Sequence, residues 1–155
     1  MVNNIFPQIK ERISDIKLII VGRNPTPQIT ELLKKKGIEL ITNVPDIRPY
    51  IAQSLVYLVP IRFGGGTRLK ILDAMSMEKA VVSTEFAANG LKCTDGVNIM
   101  LTKAYKEFAD KVVLLLKNKN LRKEMGRNAR EYVIKNFDWK VIANRQIEMY
   151  KKLLR

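Results

Sequence analysis

Residues 59–75 read VPIRFGGGTRLKILDAM, and the fold turns on this stretch. An apolar run closed by Pro60 leads into Gly64, Gly65 and Gly66, and a helical pattern begins at Thr67. Glycines at that junction leave the backbone bare, so a ligand can approach its N–H groups closely. Thr67 is placed to cap the helix with its hydroxyl. Arg68 and Lys70 then fall in the first turn, where a cation opposes the helix macrodipole by about 0.3–1 kcal/mol each. A bound phosphate or diphosphate offsets that repulsion, because it meets free N–H groups, the dipole and the cations together. Asp73 lies roughly 60° around the helix from Lys70 at about 100° per residue, turned away from the Ile71/Met75 stripe. There its carboxylate can accept hydrogen bonds from ribose hydroxyls. Neither GxGxxG nor GxxxxGK followed by Ser or Thr occurs, which counts against a dinucleotide dehydrogenase and a P-loop NTPase. The residues by themselves also admit a plain flexible loop, with Lys70 and Asp73 as an exposed i,i+3 pair.

Outward from this stretch, short apolar strands alternate with helices. Residues 17–22 (KLIIVG), 38–41 (IELI), 55–59, 80–83 (AVVS) and 97–101 (VNIML) read as strands. Residues 28–36 and 67–77 read as helices, and Asp46 can cap a short helix that runs to Ser54. Asn89-Gly90 and Asp95-Gly96 mark turns. Strands this apolar are usually covered on both faces. Beyond Tyr105 only helices are expected, at 106–117, 121–135 and 138–154, with breaks at 118–120 and 136–137. The pattern predicts an α/β domain with a doubly wound, Rossmann-like parallel sheet and a helical C-terminal tail. Ligands of such a sheet bind outside the carboxyl ends of its strands, here the loops after Val21, Leu40, Val59 and Ser83.

The chain has 155 residues, which suits one domain (1–155), with 46% hydrophobic and 28% charged residues, as in an ordinary globular protein. Its net charge of +13 points to an anionic partner: nucleic acid, an acidic membrane face or a phosphorylated small molecule. Histidine is absent and Cys93 is the single cysteine, so histidine catalysis, an intrachain disulfide and a Cys/His zinc site are all excluded. The longest apolar stretch, 55–61, is far short of the roughly 20 residues that span a bilayer, and residues 1–11 carry no apolar signal segment.

Together with VGRNP (21–25), NVPDIRPY (43–50), KAVVST (79–84), AANGL (87–91) and FDWK (137–140), the 59–75 stretch resembles the C-terminal, donor-binding domain of GT-B glycosyltransferases, specifically the retaining family 4 (glycosyl transferases group 1). The resemblance implies a UDP- or GDP-sugar as donor substrate, no cofactor and no metal. It also implies transfer of the glycosyl group to an acceptor hydroxyl, as in polysaccharide biosynthesis. Asp73 matches the family's ribose-binding carboxylate, usually a Glu. Gly65, Gly66 and Thr67 match the loop that faces the donor sugar and phosphates; many relatives have Glu at the Gly65 position. Arg68 or Lys70 would stabilise the charge developing on the leaving nucleoside diphosphate. No protein nucleophile is needed, and no catalytic base is assigned. Glu78 stands where the family commonly ends the helix with Gly, and Ala87 replaces a frequent Gly near the sugar pocket. In relatives Asn43 and Val44 lie where backbone atoms meet the nucleobase, and Glu85 is a weaker candidate than Asp73 for ligand contact.

The resemblance further implies that the N-terminal acceptor domain and the donor domain's first strand are missing. This chain would then be a donor-binding fragment with little activity alone. An anionic membrane surface is a secondary partner, giving a cytoplasmic location peripheral to the inner face of the membrane. Nucleic acid is disfavoured, because Phe108, Tyr132, Phe137, Trp139 and Tyr150 sit at helical spacing, as core or helix–helix contacts do. Trp139 and Tyr150 are alternatively residues of an interface with the acceptor domain. The competing reading is a non-catalytic basic α/β module that binds an anionic membrane or a partner protein.

Overall fold

Each β-branched run becomes a short parallel strand because both of its faces can be covered by helices. The computed structural model describes residues 1–154 except Lys35, Lys36 and Thr67; the side chain of Leu32 is also left aside. In chain order it contains α1 (Phe6–Arg12), β1 (Leu18–Gly22), α2 (Pro27–Leu32), β2 (Ile38–Thr42), α3 (Arg48–Gln53), β3 (Val56–Val59) and α4 (Leu69–Ser76). These are followed by β4 (Ala80–Thr84), α5 (Glu85–Ala88), β5 (Met100–Thr102), α6 (Tyr105–Lys117), α7 (Lys119–Phe137) and α8 (Trp139–Leu153). All strand pairs are parallel, but they form two sheets, β1–β2 and β3–β4–β5, where one doubly wound sheet was expected.

β4 is the central strand of the larger sheet and is buried at every position. Its pleat divides the core. Ala80 and Val82 join Ile5, Ile9, Phe108 and Leu115 on the side of α1 and α6, whereas Val81 joins Ile71, Met75 and Ala129 on the side of α4 and α7. On α4, Ile71, Ala74 and Met75 recur at i, i+3 and i+4 on the buried stripe, leaving Lys70 and Asp73 on the exposed face.

Several boundaries move for local reasons. The last strand is 100–102 rather than 97–101, because 94–99 make a turn: the Val97 N–H donates to the Thr94 carbonyl at 3.2 Å and the buried Asn98 side chain accepts from the Thr94 N–H at 2.9 Å. Asp46 sits one residue before the N-cap position of α3, Ile47, and accepts from the Arg48 N–H at 2.9 Å. The Arg48 guanidinium also binds this carboxylate and holds its pKa below the ordinary value. The break at 118–120 shrinks to Asn118, whose side chain accepts from the Leu121 N–H at 3.0 Å to cap α7. Residues 136–137 remain helical, and Asp138 separates α7 from α8 by capping the latter through the Lys140 N–H at 2.8 Å.

α4 ends in a Schellman motif: the Lys79 N–H donates to the Ala74 carbonyl and the Glu78 N–H to the Met75 carbonyl, both at 3.0 Å. Glu78 therefore occupies the left-handed region, φ +58°, the position where the resemblance implied a glycine. Glu78→Gly is expected to stabilise the chain by about 0.5–1 kcal/mol, offset by losing the exposed Arg130–Glu78 ion pair. Calorimetry should show a rise in melting temperature of about 2–4 °C for each kcal/mol gained.

Candidate functional site

The carboxyl end of β3 and the start of α4 form the corner that the sequence singles out. Pro60 ends β3, and the chain turns through Gly64 (φ +111°) and Gly66 (φ +84°), conformations that L side chains rarely adopt. Gly65 differs: its φ is ordinary, and a Cβ added there would meet no atom within 4 Å. Neither packing nor backbone geometry inside the chain requires glycine at 65, so its bareness is open to a ligand. The loop is anchored from β4, where the Thr84 hydroxyl donates to the Ile61 carbonyl and accepts from the Ala87 N–H.

Of the expected site residues, Gly65, Gly66, Arg68, Lys70 and Asp73 come together on this loop and the first two turns of α4. Thr67 lies outside the described residues, and the N-cap position falls on Arg68, whose side chain does not cap the helix. Arg68 is not poised outward as the sequence suggested. Its guanidinium folds back to donate to the Gly65 carbonyl at 2.6 Å and the Gly64 carbonyl at 2.5 Å, and lies 5.6 Å from the centre of the Phe86 ring. A guanidinium has five N–H donors, so this clamp shapes the loop and leaves donors over. Lys70 and Asp73 are exposed and, among the described residues, do not pair with each other. The pKa of Tyr57 on β3 is raised, first because it is partly buried and second because of the Asp73 charge.

Arg62 and Phe63 at this end carried no signal in the sequence, because what surrounds them is set by distant parts of the chain. Arg62 stacks 3.8 Å from the centre of the Tyr105 ring, and Phe63 stands 86% exposed on the loop. The loops after β1 and β2 are joined by the Asn24 N–H, which donates to the Asn43 side chain at 3.2 Å. Glu85 is the first residue of α5 and pairs with Lys103 at 3.6 Å. Ala87 is fully buried in the α4-side core, so its methyl faces the interior and not an open pocket. Cys93 is half-buried, and burial pushes its thiol pKa up to about 11, which keeps it protonated at neutral pH.

Aromatics of the tail divide. Phe108 is buried and Tyr132 packs on Phe137 with ring centres 5.9 Å apart, as a core reading predicts. Trp139 and Tyr150 do not follow them. They are 83% and 59% exposed, because α8 buries no residue at all. No helix among the described residues is long and apolar enough to cross a membrane.

Known proteins share this architecture. The chain is 28% identical to trehalose synthase of Thermococcus litoralis over 97% of its own length and 39% of the relative's. It superposes with a TM-score of 0.79, at 19% identity, on Anabaena Alr3699/HepE crystallised with UDP and glucose, covering 95% of this chain and 43% of that one. The C-terminal domain of a glycosyl transferase group 1 family protein (LpcC) from Francisella tularensis superposes with a TM-score of 0.63 at 18% identity, 94% of that domain being covered. The chain thus spans about two fifths of the length of the curated relatives it matches, and its α/β fold is that of the GT-B glycosyltransferases. Residues 1–118 match the family defined as glycosyl transferases group 1, and this chain belongs to it.

Proposed function

We propose that the chain is the donor-binding half of a glycosyltransferase and holds a nucleotide-diphosphate sugar at the Gly64–Gly66 loop and the first turns of α4. The observation that carries this reading is the bare Gly65 just before α4, where an added Cβ would meet no atom within 4 Å, together with the Asp73 carboxylate on the exposed face of that helix, unpaired among the described residues. The diphosphate accepts from the loop and helix N–H groups and from Lys70, while Asp73 accepts from the ribose hydroxyls. Arg68 acts through the loop, holding its carbonyls back so that its N–H groups face the ligand. Sugar transfer goes to an acceptor hydroxyl with retention and without a metal, the donors stabilising charge as the nucleoside diphosphate departs. The relatives' greater length supports an acceptor half beyond this chain, and the chain alone has little activity. A cytoplasmic location fits a nucleotide sugar.

UDP and GDP, each tested alone at millimolar concentration, should decide the matter by thermal denaturation. A ligand that binds only the native state at about 100 times its Kd adds roughly 2.7 kcal/mol of stability. Gly65→Ala should leave the ligand-free stability within about 0.5 kcal/mol, since the new methyl meets nothing, yet shrink the nucleotide-induced shift by obstructing the main chain. An unchanged shift in that variant would place the ligand elsewhere.

One observation favours the second reading, a basic module that docks on an anionic membrane or a partner protein. α8 exposes Trp139, Ile147, Tyr150 and Leu153 beside Lys140, Arg145 and Lys151. Sedimentation with anionic vesicles, in the absence of any nucleotide shift, would support it.

A further inference from the structure

Three aromatic rings stand near the glycine loop at the carboxyl end of the sheet, and two of them are covered. Arg62 stacks 3.8 Å from the centre of the Tyr105 ring, and Arg68 lies 5.6 Å from that of Phe86. Phe63 has no such cover: among the described residues no ring or cation packs on it, and it is 86% exposed. Trp139 is nearly as exposed, at 83%, but it sits on α8, which buries no residue. Phe63 differs because the main chain around it is held. The Ile61 carbonyl accepts from the Thr84 hydroxyl, Arg62 is stacked on Tyr105, and the Gly64 and Gly65 carbonyls accept from the Arg68 guanidinium. An apolar ring left in water on a held backbone still has the free energy of its burial to gain from a ligand.

Which part of a ligand meets it follows from the order of residues along the site. In the donor-half reading, on which this inference rests, Asp73 takes the ribose, and the glycine loop with the start of α4 takes the diphosphate. Ribose, diphosphate and sugar are joined in that order. A donor that runs from Asp73 back to the loop therefore carries its sugar beyond the diphosphate, towards the residues that precede the glycines. Phe63 and Gly65 are two residues apart in the chain, at most about 7 Å between Cα atoms. Gly64, Gly65 and Gly66 offer no side chain to a sugar hydroxyl, so contact with the ring is what this part of the loop can supply. The C–H groups of a pyranose make one of its faces apolar and slightly positive, which suits the negative face of an aromatic ring.

We propose that Phe63 determines donor specificity by stacking on the apolar face of the pyranose that is transferred, and so holds the sugar beside Gly65. Such stacking reads the C–H pattern of the ring rather than single hydroxyls. Donors are therefore ranked by how apolar that face is.

Isothermal titration calorimetry on the full chain tests this with UDP against UDP-glucose, UDP-galactose and UDP-N-acetylglucosamine, and with GDP against GDP-mannose. The quantity read is the Kd of the nucleoside diphosphate divided by that of its sugar, in wild type, Phe63→Ala and Phe63→Trp. In Phe63→Ala this ratio is expected to fall by about 2- to 10-fold for at least one pair, while the Kd of UDP or GDP itself stays within about twofold of wild type. Unchanged nucleotide binding also shows that the variant is folded. Phe63→Trp, which keeps a ring face, should retain the wild-type ratio. The proposal is overturned if the ratio moves by less than about twofold for every pair, or if UDP and GDP weaken as much as their sugars, because Phe63 would then act on the loop and not on the sugar. The donor-half reading is judged separately. A wild-type chain that binds neither UDP nor GDP sinks that reading and this proposal together, whereas nucleotide binding with an unmoved ratio sinks the proposal alone.

Discussion

Asp73→Ala is expected to remove most of the stabilisation that UDP or GDP confers, while leaving the melting temperature of the free chain within about 1–2 °C of wild type. Asp73 is exposed on α4 and its carboxylate, among the described residues, accepts no hydrogen bond and joins no ion pair, so the fold loses little with it. In the complex it would accept two hydroxyls from the ribose, and hydrogen bonds to a charged group contribute about 1.5–3 kcal/mol each. Losing both contacts weakens binding by about 100- to 10,000-fold, each 1.4 kcal/mol being tenfold. A ligand that raised the melting temperature by several degrees at a fixed concentration would then raise it by about one. Asp73→Glu should keep the shift if charge is what matters, since the family position is commonly Glu. A full nucleotide shift in Asp73→Ala would show that the ribose lies elsewhere.

Gly126→Ala should be the most destabilising conservative change in the chain, by about 3 kcal/mol, with the melting temperature lowered by roughly 6–12 °C. A Cβ at 126 would lie 2.1 Å from the Glu78 carbonyl oxygen and 2.9 Å from its carbon. Neither partner can yield cheaply. Glu78 is held in the left-handed region by the Schellman hydrogen bonds, and α7 is fixed by the buried Met125 and Ala129 on either side of Gly126. The strain would be transmitted to α4, the helix that carries Lys70 and Asp73, so nucleotide binding should weaken as well. Urea denaturation measures this; a midpoint unchanged from wild type would mean that the α4–α7 contact is looser than the structure describes.

These two substitutions lie on opposite sides of what can be read from a single chain. Asp73 was legible, because helical spacing alone puts it on the face away from Ile71 and Met75, and burial confirms that stripe. Gly126 was not. In the sequence it is an unremarked glycine within a helix, and only the packing of α7 on the end of α4 reveals why no larger residue fits. Glu78 lies between these cases: the resemblance marked its departure from glycine, and the structure supplied the φ of +58° that gives the departure a cost.

The sequence by itself determined the order of the five strands and of every helix except α1 and α5, the glycine junction after β3 and the exposed face of α4, since these follow from residue spacing and from which atoms a glycine lacks. Arg68 shows what it could not determine. Its charge was plain, but a guanidinium turned back on Gly64 and Gly65 depends on where a flexible loop closes, and closure is set by contacts from Thr84 and Phe86. The division into two sheets is likewise a tertiary fact: apolar strands announce that they will be buried, but which edges meet depends on pairings across the whole domain.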